Sequence, residues 1–418
     1  MPNHQFQIND FTAWKNIFFR LLKYFLTIIF PSRKGTSPIN SAQFIKAWTE
    51  KKPDHRNIRT RIVFLLTTFS MFFQGCSVEE LSITNCEPSG LIRPVCEMQT
   101  PEDIAALPDG KHLLLVNFGG MFSGTGYLSL FNTEDESSKI LFPSDQSLKP
   151  SNDSWGEDSC PPPKKSKFRP HGSHLHQLED GRWRYLVINH GLRESIELFE
   201  AELNGPDTKL VWRGCVMAGK DTIMNDVVGL SDGDLIFTRM FHTEPSPFSR
   251  IFSVLGFTTG DVWRWNRENG LRILTGTNAA EPNGIEISAD EKYIYANMYF
   301  EGEVWKIDAK KGGAATKIRI ASPDNSAWSK ENRLWVASHT GSILEQATCL
   351  ENQSKACGAP FEIIELNTET METSMIFSQK GPPMGAATVA VPQGKRVYMG
   401  SFVGDRLISA PLSEFVNK

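Results

Sequence analysis

Five polar residues that could bind a metal ion stand at the starts of repeated apolar segments. Glu102, Asn225, Asn283 and Asp324 each precede a strand-like run, and Asn325 follows Asp324 directly. Together they offer two carboxylates and three amides and no thiolate. Calcium takes about six to eight oxygen ligands of this kind, whereas zinc is bound mostly through nitrogen and sulfur. The set therefore predicts a calcium site.

Two further carboxylates, Asp103 and Asp226, occupy the second position of the same kind of segment. Successive residues of a strand point to opposite sides of the sheet, so these two side chains could form a second, deeper oxygen site. Alternatively, each carboxylate caps backbone amides at the start of its strand. The sequence leaves both interpretations open.

His171 and His190 are candidates for acid–base chemistry. His171 lies in Pro-His-Gly and heads one repeated segment, and His190 follows 19 residues later in Val-Ile-Asn-His-Gly. A lone histidine in a loop is usually an ordinary polar surface residue. His171, however, shares the position of the candidate metal ligands, where a neutral imidazole could take a proton from water.

The segments that carry these residues form an internal repeat. Six copies of a strand–turn–strand pattern start at residues 102, 171, 225, 283, 324 and 386. A period of roughly 40 to 60 residues without helical periodicity indicates a β-propeller. We predict an all-β, six-bladed β-propeller over residues 96–418, with the first strands lining a central channel and the polar residues meeting at one mouth of it. Taken singly, each polar residue could instead belong to a turn.

The N-terminal region differs in charge from the rest of the chain. Residues 1–61 contain 11 Lys and Arg against 3 Asp and Glu, a balance of +8, so the net charge of −4 leaves −12 for the remainder. A basic start ahead of an acidic body is typical of targeting sequence before an exported domain. The body has no basic stripe, which argues against nucleic-acid binding.

Residues 1–75 are interpreted as an N-terminal extension with a lipoprotein-type signal. The 12-residue apolar run Ile62–Phe73 follows two arginines and precedes Cys76. The run is too short to span a bilayer comfortably, and the segment resembles a bacterial lipoprotein signal. We expect an exported protein anchored in a membrane through lipidated Cys76, facing the periplasm or the cell exterior, with residues 76–95 as a tether. A plain signal peptide or an uncleaved anchor is the alternative. The earlier apolar run Ile17–Phe30 could be an interfacial helix, or it could equally reflect a mis-assigned translation start.

Six cysteines follow Cys76. Six cysteines allow about fifteen connectivities, so the sequence does not fix the pairs. Disulfides would be consistent with export. Proximity in sequence, then elimination, favours the pairs Cys86–Cys96, Cys349–Cys357 and Cys160–Cys215.

Several motifs occur in the order of a known family. They are PHG at 170–172, VINHGLRESIELFEAEL at 187–203, MNDVVGL at 224–230, PNGIEISADEKYIY at 282–295 and DNSAWSKENRLWV at 324–336. Over about residues 95–412 the chain resembles the paraoxonase/arylesterase family, and more distantly the gluconolactonase and strictosidine-synthase-like propellers. The resemblance implies a six-bladed propeller with two calcium ions that hydrolyses lactones and aryl esters.

The resemblance also implies roles for individual residues. A catalytic calcium ion would be held by Glu102, Asn225, Asn283, Asp324 and Asn325, a structural calcium ion by Asp103 and Asp226, and the family's histidine dyad would be His171 and His190. Two departures stand out. Ser173 follows Pro-His-Gly where the family tends to have an apolar residue, and no cysteine follows Cys357 to join the N-terminal region to the last strand. We therefore expect strand pairing alone to close the ring.

The expected function is calcium-dependent hydrolysis of a small-molecule lactone or ester. The ion would polarise the substrate carbonyl group, with His171 as general base, His190 orienting it or relaying its proton, and Asp324 as the rival base. The Phe-rich segment Met240–Phe257 would form a lid or rim and favour a hydrophobic substrate, unless it packs as an ordinary long loop. The alternative function is a non-catalytic, calcium-stabilised propeller that binds a protein or a glycan.

Replacing Cys76 tests the predicted anchor. Cys76→Ser removes the thiol that would carry the lipid, so the variant is expected in the soluble fraction while the wild type partitions with membranes. Fractionation followed by immunoblotting measures this. Unaltered membrane partition of the variant would assign the attachment to the upstream run Ile17–Phe30 instead.

Overall fold

The fold is described from a computed structural model. It describes residues 81–416 except 121–123, 145–153, 220–221, 243–251, 330–332 and 352–353. The predicted signal, the run Ile17–Phe30 and Cys76 lie outside the described residues. The described residues belong to a compact unit that spans residues 78–418. Within them, no helix combines the length and the apolar composition needed to cross a membrane.

Six four-stranded antiparallel sheets form a ring, which confirms the predicted six-bladed propeller. Strands are numbered in chain order, and two short strands, β1 (Ser82–Ile83) and β2 (Arg93–Val95), come first. Blade one contains β3 (Pro101–Ala106), β4 (His112–Asn117), β5 (Tyr127–Asn132) and β6 (Ser138–Phe142). Blade two contains β7 (Pro170–Gln177), β8 (Trp183–Asn189), β9 (Ser195–Glu202) and β10 (Lys209–Met217). Blade three contains β11 (Ile223–Gly229), β12 (Leu235–Phe241), β13 (Asp261–Asn266) and β14 (Gly270–Ile273).

The remaining blades follow the same plan. Blade four contains β15 (Pro282–Ile287), β16 (Tyr293–Met298), β17 (Glu303–Asp308) and β18 (Ala314–Arg319). Blade five contains β19 (Pro323–Trp328), β20 (Leu334–His339), β22 (Phe361–Leu366) and β23 (Thr373–Gln379). Blade six contains β24 (Ala387–Gln393), β25 (Arg396–Ser401) and β26 (Leu407–Pro411), together with β2. The other elements are α1 (Ile343–Glu351), β21 (Ala356–Cys357), α2 (Ser413–Val416) and the 3-10 turns Lys165–Lys167 and Gly205–Asp207.

The repeated sequence segment is a hairpin that contributes the two innermost strands of a blade. In blade four, Ile285 pairs with Ala296 and Ile287 with Ile294, and all four side chains are buried. The turn between them is held by polar side chains, since Asp290 Oδ1 accepts hydrogen bonds from the Ser288 hydroxyl (2.7 Å) and from the backbone N–H of residue 292 (3.2 Å). Alternating apolar residues therefore set the strands, and the Ser-x-Asp turn sets their register.

The first strands of the blades, β3, β7, β11, β15, β19 and β24, pack against one another around the central axis. Four of them begin with proline, and the residue after that proline heads the corresponding sequence repeat. The six repeat starts therefore lie at one end of the central channel, as the sequence predicts.

The ring is closed by strands from both ends of the described chain. β2 is the outermost strand of blade six, where Arg93 pairs with Ser409 and Val95 with Leu407. Part of the segment predicted as a tether, residues 76–95, therefore belongs to the propeller. Arg406, which is 1% exposed, adds hydrogen bonds from its guanidinium group to the carbonyl oxygens of Asn85 and Pro383.

All six cysteines among the described residues are paired. The pairs are those favoured by sequence proximity and elimination, Cys86–Cys96, Cys160–Cys215 and Cys349–Cys357. None of them joins the N-terminal region to the last blade. Closure thus uses strand pairing and hydrogen bonds, as expected from the absence of a late cysteine.

Replacing Arg406 tests the closure. Arg406→Met removes the charged donor from two carbonyl oxygens, so we expect the free energy of unfolding to fall by about 2–4 kcal/mol. Urea denaturation with the disulfides intact measures the change. Arg319→Met is the matched control, because the Arg319 side chain is 80% exposed, and its denaturation midpoint should equal that of the wild type. Equal stability of the Arg406→Met variant would show that these hydrogen bonds do not hold the closure.

Candidate functional site

A cavity of about 440 Å³ opens where the inner strands begin. Its lining includes five of the residues singled out by the sequence, Glu102, His171, Asn225, Asn283 and Asp324. Asn325 lies next to them and donates a hydrogen bond from Nδ2 to Glu102 Oε1 (2.9 Å). The five residues predicted to hold the catalytic calcium ion and the predicted base, His171, therefore converge on one site.

Three oxygen atoms of this set are buried without a hydrogen-bond donor. They are Glu102 Oε2, Asn283 Oδ1 and Asn325 Oδ1. A buried acceptor without a partner costs roughly 1–3 kcal/mol. Buried oxygens that lack a donor are the environment that a bound cation satisfies.

The raised pKa values of two carboxyl groups in the site also indicate a place for a cation. Burial raises the pKa of the Glu102 carboxyl group well above its usual value, and the neighbouring carboxylates of Asp103 and Asp324 raise it further. Burial also raises the pKa of Asp324 well above its usual value, with Glu281 as the next cause. These carboxyl groups resist ionisation until a positive charge lies beside them.

The donor chemistry suits calcium. Among the described residues, no three His, Cys, Asp or Glu side chains converge as a metal site. A metal at this position would need the amide oxygens of Asn225 and Asn283 together with the carboxylates. Mixed carboxylate and amide oxygens are the ligands that calcium prefers.

Asp103 and Asp226 lie behind the cavity lining and have different partners. Asp103 accepts hydrogen bonds from the backbone N–H groups of Ile104 (2.8 Å) and Ser173 (2.7 Å). Asp226 accepts them from Val227 (2.8 Å) and Ile285 (2.9 Å). Each carboxylate therefore caps its own strand and bridges to the next blade, and a second ion would have to share oxygens that already accept hydrogen bonds.

The backbone of three predicted ligands is fixed by side chains from neighbouring blades. Each ligand carbonyl oxygen accepts a hydrogen bond from a buried residue that belongs to the preceding blade of the ring. These hydrogen bonds are Thr388 to Glu102, Thr238 to Asn283 and Asn297 to Asp324. The position of each ligand thus depends on the packing between blades.

Two glycines allow the inner strands to approach closely at the ligands. A Cβ atom at Gly172 would lie 2.5 Å from the carbonyl oxygen of Asn225, and one at Gly284 would lie 2.4 Å from that of Asp324. Real Cβ atoms do not approach oxygen this closely. The glycine after His171 and the glycine after Asn283 therefore have a packing role.

The histidine pair lies on one side of the cavity. His171 Nδ1 is 3.0 Å from His190 Nε2, and His171 Nε2 is 3.7 Å from Glu102 Oε1. Phe118 stacks on the His171 ring with a centroid distance of 4.7 Å. Burial lowers the pKa of His171 well below its usual value, and the neighbouring His190 and Arg169 lower it further. His171 is therefore neutral near pH 7, as a general base must be.

Sequence reasoning missed a polar group on the opposite wall. His339 Nδ1 is 3.0 Å from the Tyr299 hydroxyl group, which also contacts Gln346 on α1. His339 Nε2 lies 3.0 Å from the carbonyl oxygen of Ala387, and burial lowers the pKa of His339 to about 4. The sequence did contain a signal for His339. His339 is the last residue of the fifth repeat, and His190 directly follows the end of the second repeat.

The outer wall of the cavity is apolar. The described part of the predicted lid, Met240–Phe257, contributes Met240, Phe241, Val254 and Leu255, while residues 243–251 lie outside the described residues. The other apolar residues come mainly from α1, which was not predicted: Ile343, Ala347 and Leu350, with Phe300 and Phe402. The disulfide Cys349–Cys357 links α1 to β21, which pairs with β1.

Comparison with known proteins extends these observations. Residues 97–408 match the sequence model of the family described as Arylesterase. Serum paraoxonase/arylesterase 2 of Rattus norvegicus is 21% identical over 338 residues, which cover 78% of this chain and 88% of the rat protein. A solved gluconolactonase from Xanthomonas campestris gives a TM-score of 0.45 at 17% identity, covering 77% of this chain and 88% of its own. Regucalcin from Agrobacterium tumefaciens, a calcium-binding protein, gives 0.43 at 12% identity, covering 75% and 90%. Since the family match spans most of the chain, this protein belongs to the Arylesterase (paraoxonase) family.

Proposed function

We propose that this protein is a calcium-dependent hydrolase of lactones or aryl esters. The observation that carries the proposal is the position of a neutral histidine, His171, beside buried oxygens of Glu102 and Asn283 that lack donors. Family membership supports hydrolysis of esters or lactones as the reaction class. A base and a cation site in one cavity are the two components that water attack on a carbonyl group requires.

The calcium ion would be held by five oxygen donors, Glu102, Asn225, Asn283, Asp324 and Asn325. When bound, it supplies an electrophile that polarises a carbonyl oxygen and stabilises negative charge on it. Asp103 and Asp226 would support this site by fixing the inner strands, and a second ion shared between them would neutralise their mutual repulsion. Burial, followed by the charge of Asp103, raises the pKa of Asp226 well above its usual value.

His171 would be the group that takes the proton from water. Its Nε2 atom faces the ligand Glu102 at 3.7 Å, and its Nδ1 atom faces His190 at 3.0 Å. Phe118 shields one face of the ring from water. Asp324 is the weaker candidate, because a carboxylate that binds a cation has less basicity left for a proton.

The walls of the cavity favour a hydrophobic substrate. A volume of about 440 Å³ falls within the range of small-molecule sites, about 300–1,000 Å³. Aliphatic and aromatic side chains from α1 and from the predicted lid line the outer wall, whereas the polar groups lie on the inner wall. This division suits a lactone or ester with an apolar substituent that points outward.

We also propose that the protein is exported and anchored through Cys76. The three disulfides support export, because disulfides persist in oxidising compartments. The fractionation of the Cys76→Ser variant, described above, tests the anchor directly.

Calcium should stabilise the folded protein. Binding to the native state alone stabilises it by mass action, by about 2.7 kcal/mol at a hundredfold excess over Kd. We expect the melting temperature of the wild type to fall on treatment with EGTA and to recover on adding calcium. Calorimetry should show that Asn283→Ala weakens calcium binding at least tenfold, about 1.4 kcal/mol.

Asn132→Ala is the control for this experiment. Asn132 is the last residue of β5 in blade one, where its side chain accepts a hydrogen bond from the backbone N–H of Glu134. The calcium affinity of the Asn132→Ala variant should equal that of the wild type. If the chelator changes neither the melting temperature nor the activity, the calcium assignment is wrong.

His171→Gln should separate the base from the metal ligands. Loss of a general base typically lowers the rate by about 10²–10⁴-fold, so kcat on a cleaved lactone or aryl ester should fall by that factor while calcium affinity stays unchanged. Asn283→Ala should lower both together. Steady-state kinetics on a panel of lactones and aryl esters, combined with calcium titration, measures the contrast.

His112→Gln is the matched control, because His112 pairs with Asp109 in blade one and does not line the cavity. Full activity of His171→Gln on every substrate that the wild type cleaves would make Asp324 the leading base. A wild type that cleaves no member of the panel would favour the alternative of a non-catalytic propeller.

A further inference from the structure

The geometry points to Glu194 as a positioning residue for the histidine pair. We propose that its carboxylate fixes the tautomers of His190 and His171, so that an unprotonated nitrogen of His171 faces the cavity. The catalytic consequence rests on the proposed hydrolase function. The tautomers themselves follow from contacts that do not depend on any reaction.

Glu194 makes close contacts with the distal histidine. Its Oε1 and Oε2 atoms lie 2.8 Å and 2.9 Å from His190 Nδ1, and the two side chains are only 10% and 9% exposed. Oε2 also accepts a hydrogen bond from the backbone N–H of Met224 (3.2 Å). The adjacent cation, Arg193, pairs with Glu197 instead (2.9 Å). The carboxylate is therefore held in place and directed at the imidazole.

These contacts determine where the ring protons lie. A carboxylate only accepts hydrogen bonds, so His190 must carry its proton on Nδ1. In a neutral ring its Nε2 atom is then an acceptor, and the atom 3.0 Å away, His171 Nδ1, must be the donor. His171 in turn has no proton on Nε2, the nitrogen on the side of Glu102. The hydrogen bonds from His190 to Glu194 and from His171 to His190 thus leave the nitrogen of His171 at the cavity free to accept a proton.

Glu194 also provides charge compensation for proton transfer. When His171 Nε2 takes a proton from water, the O–H bond breaks, the water oxygen bonds to the carbonyl carbon of the substrate, and the positive charge is shared between two hydrogen-bonded imidazoles. The charge can move to His190 if the Nδ1 proton of His171 crosses to His190 Nε2. In either position the carboxylate of Glu194 stabilises the cation without taking the proton itself.

A purely structural role must be distinguished from this one. Through Met224 N–H, Glu194 also holds the start of β11, directly before the predicted ligand Asn225. If Glu194 acts through its contact with Met224, replacing Glu194 should lower calcium affinity. If Glu194 acts through His190, replacing it should lower turnover alone, and only in a protein that still contains His190.

Nitrogen NMR of the full-length protein labelled with ¹⁵N-histidine tests the tautomers without any substrate. Signals are assigned with the His171→Gln and His190→Gln variants. The wild type should show both rings protonated at Nδ1, and Glu194→Ala should shift the His190 signals towards the Nε2-protonated form. A wild-type His190 protonated at Nε2, or a spectrum unchanged in Glu194→Ala, would overturn the proposal.

Kinetics tests the consequence. Glu194→Gln should lower kcat by about 10–100-fold, the effect typical of residues that orient a functional group, with KM and calcium affinity unchanged. In the His190→Gln background the same substitution should have no further effect, because residues that act through one another are not additive. Glu202→Gln, at the exposed end of β9, is the control and should match the wild type.

Additive losses in the double variant, or a parallel fall in calcium affinity, would overturn the positioning role. Absence of any hydrolysis by the wild type would instead count against the proposed function. The NMR result on the tautomers would still decide whether Glu194 sets the protonation of the pair.

Discussion

Repulsion between buried carboxyl groups dominates the centre of this propeller. Glu102, Asp103, Asp226 and Asp324 lie where the inner strands converge, and burial raises the pKa of each of them. Buried charges of one sign are tolerated only when hydrogen bonds or a counter-charge compensate them. Asp103 and Asp226 accept hydrogen bonds from backbone N–H groups of the next blade, whereas Glu102 keeps a buried oxygen without a donor, which a cation would satisfy. The cross-blade hydrogen bonds and the two close-packed glycines hold the groups together against this repulsion.

The repeat made much of the fold and site predictable. Each copy combines alternating apolar residues with a polar turn, which is local information that determines a hairpin. Because every hairpin starts with a residue at the central axis, the spacing of the copies also predicted that Glu102, Asn225, Asn283 and Asp324 would meet. The cysteine pairs were predictable for a simpler reason, since two of them are close in sequence and the third follows by elimination.

The features that the sequence did not predict depend on contacts between distant segments, or on short helices and bends that have no clear sequence pattern. α1 has nine residues with no strong apolar periodicity, so its sequence did not distinguish it from a loop. The pairing of β2 with β26 joins residues more than 300 positions apart. Glu194 lies four residues after His190, but the segment between them is a bend and not a helix. Only the path of the backbone brings its carboxylate to the imidazole.

The closure of blade six has a consequence for how the protein is made. β26 (Leu407–Pro411) is the last strand of the ring, and among the described residues it is the only strand that pairs with β2. The strands of the other five blades must therefore be synthesised before the ring can be closed. β2 must remain unpaired until then, and non-local pairing of this kind folds slowly. The pairing of β2 with β26 is thus a late step, which completes both the ring and the enclosure around its centre.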